Sequence, residues 1–280
     1  MIGKTKLKSI GTWLPMAALL LTACSSEDAP DTASEQTLWR VSIPVEESAT
    51  RGVYSDDDGA TLKSKWVASQ PVVAYNSSDD EVGPSLTASA NATGGTTTIT
   101  GDISGTYTAG TSTLTLYSPA RLTSATHAEY AVQDGTIEGI SAKDYVTADV
   151  TVTAVDADNG LLTTSTATFQ RLQSFTKFTF SVPVQTVVIS ATGMAPITVT
   201  ASADKTVFYV ALPLEGSVDY TFTCTDDDGN IYRGTKTGVL THGKYYSSAS
   251  VTIVSGVVFT NISSWGDGDT VSPTIDVVTI

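Results

Sequence analysis

Few residues of this sequence are spaced for catalysis or metal binding. The two histidines, His127 and His242, each lie in a polar connector, with no second ligand at zinc spacing. Residues 156–160 (DADNG) resemble the start of a calcium loop, but the later bidentate glutamate is missing, so a hairpin turn is favoured. There is no Gly-x-Ser-x-Gly motif, and no glutamates are paired at recognisable strand ends. We therefore expect a protein that is not an enzyme and that has no cofactor or metal.

The chemistry that the sequence does suggest is lipid attachment at Cys24. A basic head and a short apolar stretch at residues 10–21 precede Leu-Thr-Ala-Cys, which is typical of a secretory signal too short to span a membrane. The tetrapeptide resembles a lipobox, whose cysteine becomes the lipidated mature N-terminus and can carry palmitate. The alternative is an ordinary signal with a chance cysteine. Cys224, in the alternating run VDYTFTC, is predicted to be a small buried residue rather than a nucleophile.

The charge of the chain excludes some partners. The formal net charge is −14, which argues against nucleic-acid binding and against electrostatic docking to anionic lipid. Residues 24–37 are polar and acidic and should form a flexible tether. Residues 25–28 (SSED), directly after Cys24, also resemble an export signal of surface lipoproteins, so we expect a location at the outer membrane and the cell surface.

The rest of the chain is predicted to be all-β. Alternating apolar and polar residues recur in short runs, and Gly, Asn and Asp separate them as in hairpins. A β-sandwich takes about 100 residues, so the length predicts two of them in tandem. The expected segments are a signal at 1–23, a tether at 24–37, an N-terminal sandwich at 38–168 and a C-terminal sandwich at 169–280.

One strand near the start is patterned more strongly than its neighbours. Its apolar side chains alternate with polar ones over residues 39–45 and would face one side; they are Trp39, Val41, Ile43 and Val45. Pro44 predicts that this is an edge strand. Arg51 follows it in a segment of small residues, either as a solvated loop residue or as a protease site.

Several motifs together resemble the fimbrillin family, the subunits of type V pili, over nearly the whole chain. They are the lipobox with its acidic tether, the alternating strand that leads to ATRG, the run ATFQRLQSFTKFTFSV at 167–182, and GKYY…W at 243–265. The family has alanine more often than Gly52 after the arginine. This departure leaves the cleavage plausible, because the protease recognises the arginine.

The resemblance implies two transthyretin-like β-sandwiches and an assembly mechanism. A lipoprotein precursor anchored through Cys24 would be cut between Arg51 and Gly52 by a trypsin-like or arginine-specific protease. The lipid, the tether and strand 39–45 would leave together. The vacated groove would accept a strand from another pilus subunit, so that the mature protein lies in a fimbria and contributes to adhesion.

The C-terminal segment offers a candidate donor strand at residues 274–280. Ile275 and Val277 would point one way, and Val278 and Ile280 the other. The alternative is a last strand folded onto its own sheet. A competing function also stays open, in which an uncleaved, permanently anchored protein acts as a pilus anchor or tip, or binds a glycan or host ligand through exposed aromatic residues such as Trp66 and Trp265.

Overall fold

The protein is described here by a computed structural model that covers residues 37–46, 53–55, 63–90 and 97–251, all within the compact unit Gln36–Ile280. In chain order the strands are β1 (Leu38–Val45), β2 (Val53–Ser55), β3 (Lys63–Lys65), β4 (Gln70–Asn76), β5 (Glu81–Ala88), β6 (Thr97–Ser104), β7 (Thr113–Ser118), β8 (Val132–Gln133), β9 (Val146–Asp156), β10 (Leu161–Thr164), β11 (Gln170–Arg171), β12 (Ser174–Ser190), β13 (Ile197–Leu212), β14 (Gly216–Thr225), β15 (Ile231–Leu240) and β16 (Tyr245–Val251). A 3-10 turn at Ala128–Tyr130 and helix α1 (Ile137–Ala142) interrupt them. The predicted all-β class with a sandwich-like arrangement is confirmed.

The first large sheet closes on itself. Its strands follow the order β10-β1-β6-β5-β4-β7-β9-β11, and β10 also pairs with β9. Strand β10, at one end of this order, runs parallel to β1 and also forms a hairpin with β9, so the strands from β10 to β9 make a closed ring. Closure removes free strand edges along this part of the sheet.

The second sheet is built around two long strands. Its order is β15-β14-β12-β13-β8, and β16 pairs in parallel with the first half of β12. Strands β12 and β13 are each continuous, with 17 and 16 residues. Between Thr179 and Thr186 the register of β12 shifts, and Pro183, which has no N–H to donate, lies inside this irregular stretch.

Each sheet has its own hydrophobic core. The buried residues of the first core lie between Trp39 and Phe169 in the chain, and those of the second core lie between Tyr130 and Tyr246, so the two ranges overlap. Tyr130 and Ile140 belong to the second core, although they precede the boundary that the sequence predicts at 168/169. The chain first contributes β8 to the second sheet, returns to the first sheet at β9, and leaves it for the last time after Arg171 to enter β12 at Ser174. Where the protein divides into domains stays a prediction.

A buried polar cluster lies where the chain passes from the first sheet to the second. The Asp144 carboxylate is fully buried; it accepts a hydrogen bond from Gln173 Nε2 at 2.6 Å and pairs with Arg171 Nε at 3.3 Å. Gln173 Oε1 accepts from the Tyr130 hydroxyl at 2.9 Å and from the backbone N–H of Tyr145 at 3.1 Å. These bonds offset the cost of burying a charge and an amide, and through Tyr130 they tie the crossing segment to the second core.

One short helix was not expected from the sequence. Helix α1 is capped by Thr136, whose side chain accepts a hydrogen bond from the Gly139 N–H at 2.9 Å, and its six residues are too few to show a helical period. Within the described parts of the chain, no helix has the length and apolar character needed to cross a membrane.

Gly101, on β6, is the position where a side chain would most disturb the first core. It has φ +155°, it is paired with Val41, and a Cβ built on it would lie 2.7 Å from Leu86 Cδ2. We expect Gly101→Ala to lower the free energy of unfolding by about 2–4 kcal/mol, from a strained backbone and overpacking.

The matched control is Gly110→Ala, because Gly110 has φ +78° and open space where a Cβ would lie. Gly110→Ala should lower the free energy of unfolding only through backbone strain, by about 1–2 kcal/mol. Urea unfolding of both variants checks this expectation, and equal losses would contradict the steric explanation.

Candidate functional site

Strand β1 alternates fully between the core and the solvent. Trp39, Val41, Ile43 and Val45 are between 0 and 7% exposed, whereas the residues between them are exposed. The alternation arises because successive side chains of a strand point to opposite faces. The predicted apolar face of residues 39–45 is therefore confirmed as part of the first core.

The prediction that β1 is an edge strand is wrong. It pairs antiparallel with β6 along all eight residues and parallel with β10 at Arg40, Val41 and Ser42. It therefore occupies a slot between two strands. We call this slot, formed by β6, β10 and Ala167, the β1 groove.

Pro44 is tolerated for a different reason than an edge position. The Arg40 N–H donates to the Gly160 carbonyl, and the Glu46 N–H to the Ala167 carbonyl, so even-numbered residues turn their backbone groups toward the β10 side. The missing N–H of Pro44 would face this side, where the β1–β10 pairing has already ended at Ser42. The Pro44 carbonyl instead accepts from the Ala167 N–H at 2.8 Å.

Trp39 anchors the N-terminal end of β1. Its indole Nε1–H donates to the Gly105 carbonyl at 2.8 Å, and the ring is 7% exposed. Beside it, the Tyr107 hydroxyl donates to the Ser104 carbonyl at 2.7 Å. Burial raises the pKa of Tyr107 to about 12, so this hydroxyl remains protonated and keeps its hydrogen bond at physiological pH.

The C-terminal end of β1 is held by the segment that follows β10. Val45 forms a parallel bridge with Ala167, and the Thr168 hydroxyl donates to Glu46 Oε2 at 2.6 Å. Phe169 follows in the same core and stacks edge-on against Trp66, with ring centroids 5.2 Å apart. Trp66 is 1% exposed, so it cannot present a ring to a sugar, as the alternative function required.

The other predicted site residues fall elsewhere. Cys24, Arg51, Gly52 and the candidate donor strand with Ile275, Val277, Val278 and Ile280 lie outside the described residues, as does Trp265. Their assigned roles stay predictions.

The weaker chemical candidates resolve as structural features. Residues 156–160 form the β9–β10 turn, in which the Asp156 carboxylate accepts from the Asn159 backbone and side chain. His127 and His242 are half-buried rather than fully solvated; His242 Nε2 lies 2.9 Å from the Pro213 carbonyl. Across the described residues, no group of three or more His, Cys, Asp or Glu side chains is placed to hold a metal ion. Burial raises the pKa of the Cys224 thiol to about 12, which makes it a poor nucleophile.

Sequence reasoning missed the residues that flank β1. Gly101 and Gly105 carry signals that could have been used, because a glycine in or just after a strand pattern indicates a close approach or a bend. Ala167 and β10 carry no such signal. They pair with β1 although they lie more than a hundred residues away in the chain, and such a long-range pairing produces no local pattern in the sequence.

Solved structures provide distant matches. One is a "putative cell adhesion protein" of Bacteroides uniformis, with 16% identity and a TM-score of 0.41 over 85% of this chain and 97% of that one. A second, of the same description from Bacteroides fragilis, has 13% identity and a TM-score of 0.39 over 86% and 95%. A fimbrial protein of Bacteroides ovatus has 8% identity and a TM-score of 0.38 over 81% of this chain and 51% of that one.

No protein-family model and no curated protein matches the chain. With TM-scores below 0.5, the structural matches do not define a function, which has to be argued from the residues of this chain.

The inward face of β1 should dominate its contribution to stability. Ile43 is fully buried, so Ile43→Ala should lower the free energy of unfolding by about 2–5 kcal/mol. Leu38→Ala removes an aliphatic side chain from the same strand that is 66% exposed, and should cost less than about 1 kcal/mol. Urea unfolding followed by tryptophan fluorescence measures both, and a loss for Leu38→Ala as large as that for Ile43→Ala would contradict the assigned face.

Proposed function

We propose that this protein is a structural subunit of a cell-surface fimbria of the type V pilus class that is assembled by strand exchange at the β1 groove and contributes to adhesion. The observation that carries the proposal is that β1 is a complete core strand whose pairing partners, β6 and β10, all lie later in the chain. The precursor is exported as a lipoprotein anchored through Cys24 in the outer membrane.

Cleavage at one position would turn β1 into a separate peptide. Arg51 lies six positions beyond Val45, and β2 begins at Val53. A trypsin-like or arginine-specific protease that cuts between Arg51 and Gly52 therefore leaves β1 attached to the rest of the protein by non-covalent contacts alone. The lipid anchor and the tether lie on the same side of the cut as β1 and would leave with it.

Loss of β1 supplies the driving force for assembly. Burial of four apolar side chains contributes about 1.5–3 kcal/mol each, or about 6–12 kcal/mol in total, which is comparable to the whole stability of a domain. The backbone groups of β6 and β10 that pair with β1 would also lose their partners. A strand from another subunit restores both contributions, as in other cases of strand addition. Thr274–Ile280 is the segment that we assign to donate in turn.

A second function is favoured by one surface feature. The Arg121 guanidinium lies 4.9 Å above the Tyr75 ring and 5.8 Å from the Tyr117 ring, and it pairs with Asp79 at 2.8 Å. The two tyrosine rings meet edge-on at 5.6 Å. Such an aromatic and cationic cluster could hold a glycan or host ligand in a protein that keeps its anchor, as a pilus tip or anchor subunit would.

Cys24→Ala tests the anchor. The variant should incorporate no labelled palmitate and should be missing from the cell surface, because lipid attachment requires the thiol of this residue. Cys224→Ala is the matched control, since that thiol is buried in the second core and should leave labelling unchanged. Palmitate incorporation and surface labelling of whole cells measure both. Normal labelling of Cys24→Ala would refute the lipoprotein assignment.

Arg51→Ala tests the switch. Limited trypsin treatment of the wild-type protein should cut after Arg51 and allow β1 to be released from its groove, whereas the variant should keep β1 and stay intact and monomeric. An intact connection keeps β1 at a high effective concentration beside its groove. Intact mass and size-exclusion chromatography before and after digestion provide the measurement.

Arg121→Ala serves as the control for that digestion. Arg121 is held by Asp79, so its removal should leave the cut after Arg51 and the release of β1 unchanged. Arg40 is an exposed arginine on β1 itself, but its backbone is paired on both sides and should resist the protease. Oligomers formed by uncut Arg51→Ala protein would show that cleavage is not the switch.

A further inference from the structure

The β1 groove has four inward positions with different requirements. The first takes an indole, since Trp39 both fills the core and donates its N–H to the Gly105 carbonyl. The next three take Val41, Ile43 and Val45, which are nearly or fully buried. A phenylalanine at the first position would leave the partly buried Gly105 carbonyl without this donor, at a cost in binding free energy.

The backbone of the groove adds a second requirement. Since the even-numbered residues of β1 turn their backbone groups toward β10 and Ala167, the odd-numbered, inward residues turn theirs toward β6. An incoming strand therefore needs an N–H at each inward position and cannot carry proline there. Proline is accepted only at the outward position of Pro44, where the pairing with β10 has ended.

The candidate donor strand of this chain does not meet these requirements. Residues 274–280 contain no aromatic residue, and their apolar side chains are divided between two faces, Ile275 with Val277 and Val278 with Ile280. Extending the first face backward to Val271 would give four apolar positions, but it would put Pro273 at an inward one. Of the four tryptophans, only Trp39 is followed at the second, fourth and sixth positions by valine or isoleucine.

We infer that the β1 groove receives its strand from a different chain, not from the C-terminal segment of a second copy of this protein. The occupant is an extended segment with tryptophan at its first inward position and β-branched aliphatic residues at the next three, running in the direction of β1. This inference rests on the proposed strand exchange and names the kind of partner that it requires. The protein is thus a subunit of a mixed assembly.

Peptide exchange into the cleaved full-length protein tests this partner. The protein is opened by trypsin after Arg51 or, in a second variant, by a site-specific protease whose recognition sequence is inserted after residue 50. Four fluorescein-labelled ten-residue peptides are then offered in a low concentration of urea, which speeds release of β1. They copy residues 37–46, the same segment with Trp39→Phe, the same segment with Leu38→Ala, and residues 271–280.

The copy of residues 37–46 and its Leu38→Ala version should bind equally, because Leu38 points to solvent. The Trp39→Phe version should bind about tenfold more weakly. The copy of residues 271–280 should bind weaker by roughly a hundredfold or more, since it has no indole and its one face with four apolar positions places Pro273 inward. The fraction of labelled peptide that co-elutes with the protein gives the affinities. The native mass of the complex confirms that one peptide binds per chain.

The outcomes separate the inference from the proposed function. If the copy of residues 271–280 binds as tightly as that of residues 37–46, the groove accepts a second copy of this protein and the inference is wrong, while strand exchange stands. If the Phe version binds as tightly as the original, the indole requirement is wrong. If no peptide enters either opened form, the groove accepts no strand, and both the inference and the proposed strand exchange fail.

Discussion

The pairing of β1 with β6 on one side and with β10 on the other is the interaction on which the first half of the structure depends. Without β1, the order of strands is broken between β6 and β10, and the closed sheet opens. The same strand contributes four side chains to the first core. One short segment near the start of the chain therefore supplies both the last hydrogen-bonded connection of the sheet and a continuous row of its core.

This arrangement combines stability with the capacity for exchange. A strand inside a closed sheet is protected from solvent and from proteases, whereas an edge strand would offer its backbone to other chains at any time. Everything that holds β1 in place, apart from the peptide bonds of residues 46–52, is a contact that another extended segment can reproduce. If assembly proceeds by the proposed strand exchange, the closed sheet would prevent it before cleavage, and a cut in the connecting segment would permit it.

The sequence predicts part of this arrangement well. Period-two alternation is local, so the apolar face of β1, the buried side of β14 around Cys224 and the turn at residues 156–160 could all be derived before the fold was known. The partners of β1 could not, because the pairing of β1 with β10 joins residues far apart in the chain. Pro44 led to the wrong prediction of an edge strand, because a proline shows only that one backbone N–H is missing from the hydrogen-bonding pattern. It does not show whether the strand lies at the edge of the sheet or whether its pairing with a neighbour has ended at that residue.

The N-terminus of the mature protein tests the central claim most directly. Protein sheared from the surface of the cells that produce it can be analysed by N-terminal sequencing and intact mass. A chain that begins at Gly52 and lacks residues 37–46 is the predicted result, and it would show that β1 is removed from the mature protein. A chain that begins at a lipidated Cys24 and still contains β1 would contradict the account and would favour a permanently anchored surface protein.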